Sequence, residues 1–426
     1  MINKVLKSNF WKSILMVMGG TTFAQALNIL LSPVITRIYT PTEYGILTTY
    51  TAIISILAVG ALKYELALPI AKDERKAINI LTLCLLVLTL LVLLLSIVFL
   101  IFGDVFLTIF KSETLYQYRF LIPLGVLLAG LYKIFNQWAF RLRDYKNVTR
   151  TLINQSILSN TIKVGTGALG AGPIGLVFGH IAGMSAGIRV LSAPVRKRYK
   201  EYSKLIHPKE IKWAFKRYKN FPFYNMPSIV LMSLSSSLPV LYFTSVFSSS
   251  VVGFYGLAYT IVKLPMNLIG TSVANVFYAE AANIGKEHPS KLKRLFNRLF
   301  KKIILIGLLP LIALLALGPQ LFSLVFGEKW TTSGEYARII AFMIFFMFIF
   351  APSGKLFVIL EKQRARLLLD ILRVVLVLVA FGISWIYNFN PYLTITMYTI
   401  VMSVNFIFLH IVSHRILNAS RRSEAE

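Results

Sequence analysis

The chain has 426 residues, of which 56% are hydrophobic and only 15% charged, with a mean hydropathy of +0.69. Forty-five Lys and Arg face 17 Asp and Glu, a formal net charge of +28 at pH 7. One cysteine, Cys84, excludes an intrachain disulfide framework, and the five scattered His show no metal-ligand spacing.

Twelve apolar stretches follow one another along the chain, near 11–36, 44–64, 77–102, 118–139, 148–169, 173–193, 222–245, 253–277, 300–317, 336–356, 366–388 and 392–412. A helix needs about 20 apolar residues to cross a bilayer. In lipid every backbone amide must be satisfied internally, so these stretches are helices and not open strands. The expected fold is an all-α integral membrane protein with twelve transmembrane helices. The first stretch is too long for a signal-peptide core, and no small-residue cleavage site follows it.

The connections alternate in charge. One set holds Lys4, Lys7 and Lys12, then Lys63, Lys72, Arg75 and Lys76, then Arg141, Arg143, Lys146 and Arg150. In the same set, ten Lys or Arg fall in 194–221 and seven in 278–302. The other set carries only Arg37, Lys111, Arg119, Lys329 and Arg338. The positive-inside rule therefore places both termini in the cytoplasm of a multi-pass plasma-membrane protein. It also accounts for most of the net charge, as loops facing anionic lipid. A nucleic-acid partner is not expected, because no binding fold fits between the stretches.

A weak internal repeat divides the chain. IYTPTEYGILTTYTAI from Ile38 and VFSSSVVGFYGLAYTI from Val246 share Tyr39/Phe247, Thr40/Ser248, Gly45/Gly253 and Ile53/Ile261. GDVFLTIF from Gly103 is echoed by GPQLFSLVF from Gly318. Six spans per half is an even number, so the halves are parallel repeats about an axis along the membrane normal. The expected organisation is an N-terminal lobe (1–193), a cytoplasmic linker (194–221) and a C-terminal lobe with tail (222–426), the two lobes facing a central cleft. Within the linker, HPKEIKWAFKRYKN sets Ile211, Phe215 and Tyr218 on one helical face, the pattern of a short helix at the inner membrane surface.

Charges inside spans cost roughly 2.5–3.5 kcal/mol each on insertion scales, so each needs a wet cavity, a partner or the interface. Lys263 lies near the middle of the eighth stretch, Lys163 in the outer part of the fifth and Lys133 in the inner part of the fourth. Asp370 and Arg373 are three residues apart on one helical face and are placed to pair. A mostly cationic set in low dielectric attracts anionic groups, phosphate above all. Gln25, Asn28 and Asn154 add amides, which hydrogen-bond sugar hydroxyls and equally tie transmembrane helices together. Glu65 follows Lys63 in LKYELALP, where it is placed to gate, to bind a coupling cation or to close a salt bridge to another helix. His180 is the one histidine near the middle of a span.

These residues resemble a known family. LLSPVITRIYTPTEYG (Leu30 to Gly45) and LKYELALPIAKD (Leu62 to Asp73) look like the start of bacterial polysaccharide-repeat flippases of the multidrug/oligosaccharidyl-lipid/polysaccharide exporter superfamily. The likeness continues at QWAFRLRDYK (Gln137 to Lys146), GAGPIGLVFGHIAG (Gly170 to Gly183), FPFYNMPS (Phe221 to Ser228), VVGFYGLAYTIVKLP (Val251 to Pro265) and LFSLVFGEKW (Leu321 to Trp330). The resemblance implies a carrier that is not an enzyme and uses no cofactor or metal. Such a carrier moves an undecaprenyl-diphosphate-linked oligosaccharide between leaflets by alternating access. By the family pattern the diphosphate would meet Arg37, Lys133, Lys163 and Lys263, with Gln25, Asn28 and Asn154 nearby. Glu65, Asp370 and Arg373 are the candidates for gating or ion coupling. Expected partners are the lipid-linked oligosaccharide and membrane lipids, with a polysaccharide polymerase as a further candidate.

Two other readings compete. A multidrug or organic-cation exporter of the same architecture would favour an acidic cavity. A polymerase or ligase of lipid-linked sugars would present a large outer loop, and the longest outer connections here, near 103–117 and 318–335, are short.

Overall fold

The computed structural model describes residues 9–109, 119–284, 288–360 and 362–425. Lys4, Lys7 and Lys111, part of the charge pattern above, lie outside them. Every one of the twelve apolar stretches contains a helix, and no strand occurs among the described residues. In chain order the first six long helices are α1 (Asn9–Ile38), α2 (Pro41–Leu57), α3 (Glu74–Ile109), α4 (Leu121–Arg141), α5 (Tyr145–Ala168) and α6 (Pro173–Ser185). After short helical turns come α7 (Pro208–Arg217), α8 (Met226–Val246), α9 (Ser249–Ile284) and α10 (Pro289–Phe326). The chain ends with α11 (Thr331–Ile349), α12 (Ala351–Ile359), α13 (Gln363–Ile386) and α14 (Pro391–Ala425).

Eight segments among the described residues are long and apolar enough to cross a membrane. α2 falls short because it has 17 residues. α5 falls short because Asn154, Gln155, Asn160 and Lys163 interrupt its apolar face. α3 shows the membrane character most plainly. Leu86, Leu90, Leu93, Leu94, Ile97 and Ile101 are all exposed along it, and a soluble helix does not present such a surface to water.

Local chemistry sets several boundaries. Thr40 and Glu43 form a capping box at the start of α2: Glu43 N donates to Thr40 Oγ1 at 3.3 Å and Thr40 N donates to Glu43 Oε2 at 2.7 Å. Pro41 fills the first helical position, where its missing N–H costs nothing. The second stretch ends at Leu57 and not near residue 64, because the chain then enters left-handed backbone at Gly60, Leu62 and Lys63. The sixth breaks after Ser185, at Gly187 with φ +93°. α10 begins well before residue 300, since its basic first turns continue the same helix.

The chain separates into two compact units, Met1–Gly253 and Phe254–Glu426. The first is built around α1 to α8. One core of it joins Ala77, Leu81, Cys84 and Leu88 of α3 to Ile134 and Trp138 of α4 and to Ala214 of α7. α7 is the helix expected in the linker. Its apolar face packs Ile211 and Ala214 against this core instead of lying wholly on lipid. Arg75 to Glu210 (3.6 Å) and Lys76 over the Trp213 ring (5.4 Å) tie it to the start of α3. In the second unit, α10 and α11 pack along each other, and α11 also packs on α14.

Candidate functional site

Lys63, Glu65 and Lys133 meet where α2 ends. Leu62 (φ 50°) and Lys63 (φ 71°) are consecutive non-glycine residues in left-handed backbone, a conformation that costs on the order of 1–3 kcal/mol each and persists only where the surroundings enforce it. The turn Tyr64–Ala67 then buries Glu65, which is 2% exposed. Glu65 Oε2 accepts from Ala61 N at 3.1 Å, and Oε1 lies 3.8 Å from Lys63 Nζ. Gly60 is needed here, since a Cβ on it would stand 2.5 Å from Glu65 Oε1. From α4, Lys133 Nζ donates to the Ala58 carbonyl, and its charge bears on Glu65. The salt bridge expected of Glu65 therefore forms with Lys63 of its own connection, while the second helix contributes the Lys133 amine. One amine pairs with the carboxylate, and the charge of the other bears on it from a distance.

Lys163 on α5 is half-buried, with its chain passing over Gly179 of α6. No carboxylate pairs with it among the described residues. Its charge bears on His180, whose ring meets Tyr50 edge-on at 6.0 Å. Tyr39 OH donates to the Lys163 carbonyl at 2.8 Å and so fixes this turn of α5.

The amides of α1 and α5 divide. Asn28 Oδ1 accepts from Ser156 Oγ at 2.8 Å and from Asn160 Nδ2 at 2.6 Å, while Ser156 Oγ also reaches the Ala24 carbonyl at 3.0 Å. Asn28 thus joins α1 to α5, although its residue surface is still exposed. Gln25 Oε1 is buried with no hydrogen-bond partner among the described residues, and Asn154 is half-buried. Arg37 is exposed in the last turn of α1.

In the second unit, Lys263 Nζ donates to Tyr259 OH at 2.8 Å and lies 4.6 Å from that ring's centroid. Tyr259 stacks on Tyr255 at 5.7 Å. Asp370 pairs with Arg373 at 3.5 Å, as their spacing suggests, and more closely with Arg366 at 3.0 Å. Arg366 and Tyr259 were both legible as helical neighbours, each four residues before its partner. Lys63 was counted only as a loop charge, and no local sequence signal announces the backbone that turns it inward. His410 was also overlooked. It is stacked on Phe350 (4.4 Å), Phe300 (4.8 Å) and Phe296 (5.6 Å), with Nδ1 3.1 Å from Ser353 Oγ, and only tertiary contacts assemble that group.

The sequence profile of the family described as "Polysaccharide biosynthesis protein" matches residues 34–335, well over half of the chain. The chain belongs to the polysaccharide biosynthesis protein family. A curated relative is the teichuronic acid biosynthesis protein TuaB of Bacillus subtilis (strain 168), 25% identical over 195 residues. That match covers 46% of this chain and 40% of TuaB, so the chain spans well under two thirds of the relative's length.

Among solved structures, this polysaccharide biosynthesis protein resembles an inward-facing multidrug resistance MATE family transporter of the MOP superfamily. The TM-score is 0.74 at 16% identity, covering 93% of this chain and 96% of the other. It also resembles the lipid II flippase MurJ in an inward closed conformation, with a TM-score of 0.73 at 12% identity, covering 97% and 91%. These likenesses show that the chain shares the fold of those two proteins. On that fold this chain carries amines held by a carbonyl (Lys133), by a phenol (Lys263) or, among the described residues, by no carboxylate (Lys163). Such groups suit anion binding and charge neutralisation.

Proposed function

We propose that this chain flips an undecaprenyl-diphosphate-linked oligosaccharide repeat from the cytoplasmic to the outer leaflet of a bacterial plasma membrane. The observation that carries the reading is Lys163, an amine at membrane depth with no carboxylate partner among the described residues. Burying an unpaired ammonium is expensive, and a transported anion offsets that cost whenever it binds. Lys263 offers a second amine, held among the described residues by a phenol. The barrier to flipping is the transfer of a diphosphate and several sugars through hydrocarbon. A hydrated, cationic, amide-bearing cleft lowers it without covalent chemistry.

In this reading the twelve helices form two parallel-related lobes, 1–193 and 222–426, joined by 194–221, with both termini cytoplasmic. Rocking of the lobes exposes the cleft alternately to each side, and the polyprenyl chain stays in lipid. The test is transfer itself. Purified protein in liposomes is given a fluorescent undecaprenyl-diphosphate oligosaccharide, and its accessibility to an external glycosidase is followed. Protein-dependent transfer is expected. Its absence, together with uptake of an organic cation, would favour the exporter reading that the MATE-like fold also permits.

A further inference from the structure

Phe221–Asn225 forms a single π-helical turn at the head of α8, closed by the Met226 N–H donating to the Phe221 carbonyl. Such turns are rare and gather at functional sites. Two prolines explain its position. Pro222 carries no N–H, and Pro227 has none to give the Phe223 carbonyl four residues back, so the regular ladder is interrupted on both sides. Phe221 turns inward onto Tyr218, ring to ring at 6.0 Å. Beyond Pro222 three residues turn outward: Phe223 is 72% exposed, Tyr224 is 73% exposed, and Asn225 is exposed after them.

This turn packs directly on the Tyr64–Ala67 turn that carries Glu65 and follows Lys63. Through that contact it lies beside the turn whose Glu65 pairs with Lys63 in the interior of the first unit. Two exposed aromatic rings on consecutive residues, an exposed amide and a backbone carbonyl without its ordinary helical donor offer apolar faces together with hydrogen-bonding groups. The apolar C–H face of a pyranose stacks on an aromatic ring, while its hydroxyls need donors and acceptors at the rim. We infer that residues 223–225 are a binding platform for the saccharide part of a lipid-linked substrate. Its charged diphosphate would lie toward Lys63 and Lys133. The inference rests on the flippase reading for its substrate, but it places glycan recognition on a surface separate from the amines.

The variant Phe223→Leu/Tyr224→Leu keeps apolar area for contact with the bilayer and removes the ring faces. Native mass spectrometry in detergent compares its binding of undecaprenyl diphosphate bearing a multi-sugar repeat with its binding of sugar-free undecaprenyl diphosphate. The platform predicts about a tenfold loss of affinity for the first and no change for the second, with a smaller selective loss in Asn225→Ala. Equal binding of the repeat by wild type and variant would overturn it. So would a matched loss for both lipids together with a lower Tm, which is the behaviour of an interfacial aromatic anchor. Transfer in proteoliposomes is read separately. Sugar-dependent binding without transfer would defeat the flippase reading and leave the platform standing, whereas transfer with no dependence on the rings would do the reverse.

Discussion

Gly45 and Gly253 lie backbone to backbone. A Cβ added at either would stand 3.0 Å from the backbone nitrogen of the other. It would also collide with a carbonyl, that of Ser249 from Gly45 and that of Pro41 from Gly253. The contact is reciprocal: Gly45 and Gly253 are the matched glycines of the internal repeat, and Pro41 and Ser249 stand four residues before them. The starts of α2 and α9 therefore cross closely, each glycine facing the first turn of the other helix. Gly45→Ala must push these backbones apart. It is expected to lower stability by about 1–3 kcal/mol, the usual cost of overpacking, read as a drop in Tm in detergent. An unchanged Tm would mean that the crossing is loose.

Further along α2, Thr49 Oγ1 lies 2.9 Å from Thr244 Oγ1, and Ser55 Oγ lies 2.9 Å from Ser237 Oγ, both partners on α8. Thr49→Cys/Thr244→Cys should form a disulfide under mild oxidation, visible as a mobility shift that dithiothreitol reverses. The native Cys84 is buried and should not interfere. If α2 and α8 separate during transport, the oxidised protein will stop transferring substrate and the reduced protein will recover. Full activity in the cross-linked form would show that the two helices move as one body.

Glu65 pairs with the buried amine of Lys63, so its loss should be costly. Removing one partner of a buried ion pair destabilises by about 3–5 kcal/mol, because the other charge is left unpaired. Glu65→Leu is expected to unfold at a clearly lower temperature than wild type. Glu65→Leu/Lys63→Met should recover part of the loss. A double variant no better than the single would mean that Lys63 is not the partner that matters.

Lys163 should behave in the opposite way. With no carboxylate to orphan, Lys163→Met is expected to leave Tm unchanged or to raise it, while transfer of a diphosphate-linked substrate falls at least tenfold. A strong fall in Tm with unchanged transfer would assign Lys163 to structure.

Asp73 gives a pH test at the start of α3, outside the spans. Its Oδ1 accepts the Lys76 N–H at 2.7 Å, and Oδ2 lies 3.3 Å from Lys76 Nζ. That backbone bond, with the Lys76 and Arg141 charges, holds the carboxyl below the usual aspartate range. A lowered folded pKa means stability that is present above the unfolded value and lost as pH falls through the folded one. Asp73→Ala should cost about 1 kcal/mol at neutral pH, as a lost N-cap does, and nothing once the wild-type carboxyl is protonated. The difference in Tm between the two proteins, followed from pH 7 downward, reads this directly.

The sequence by itself determined the class of this protein. Twelve apolar lengths, the alternation of Lys and Arg between connections, and the echo of Gly45 at Gly253 are properties of composition and period. They follow from the thickness of a bilayer and the geometry of a helix. Pairs four residues apart were equally legible, because a helix fixes them locally: Asp370 with Arg366, and Lys263 with Tyr259. Tertiary structure alone decided which buried amines have partners. Lys63 reaches Glu65 through two left-handed residues, Lys133 finds a carbonyl of a different helix, and Asn28 spends its oxygen on Ser156 and Asn160. Lys133 and Lys163 read alike as in-span lysines. They differ only in what the neighbouring helices bring to them, because the cost of burying a charge depends on contacts between helices, which no single segment encodes.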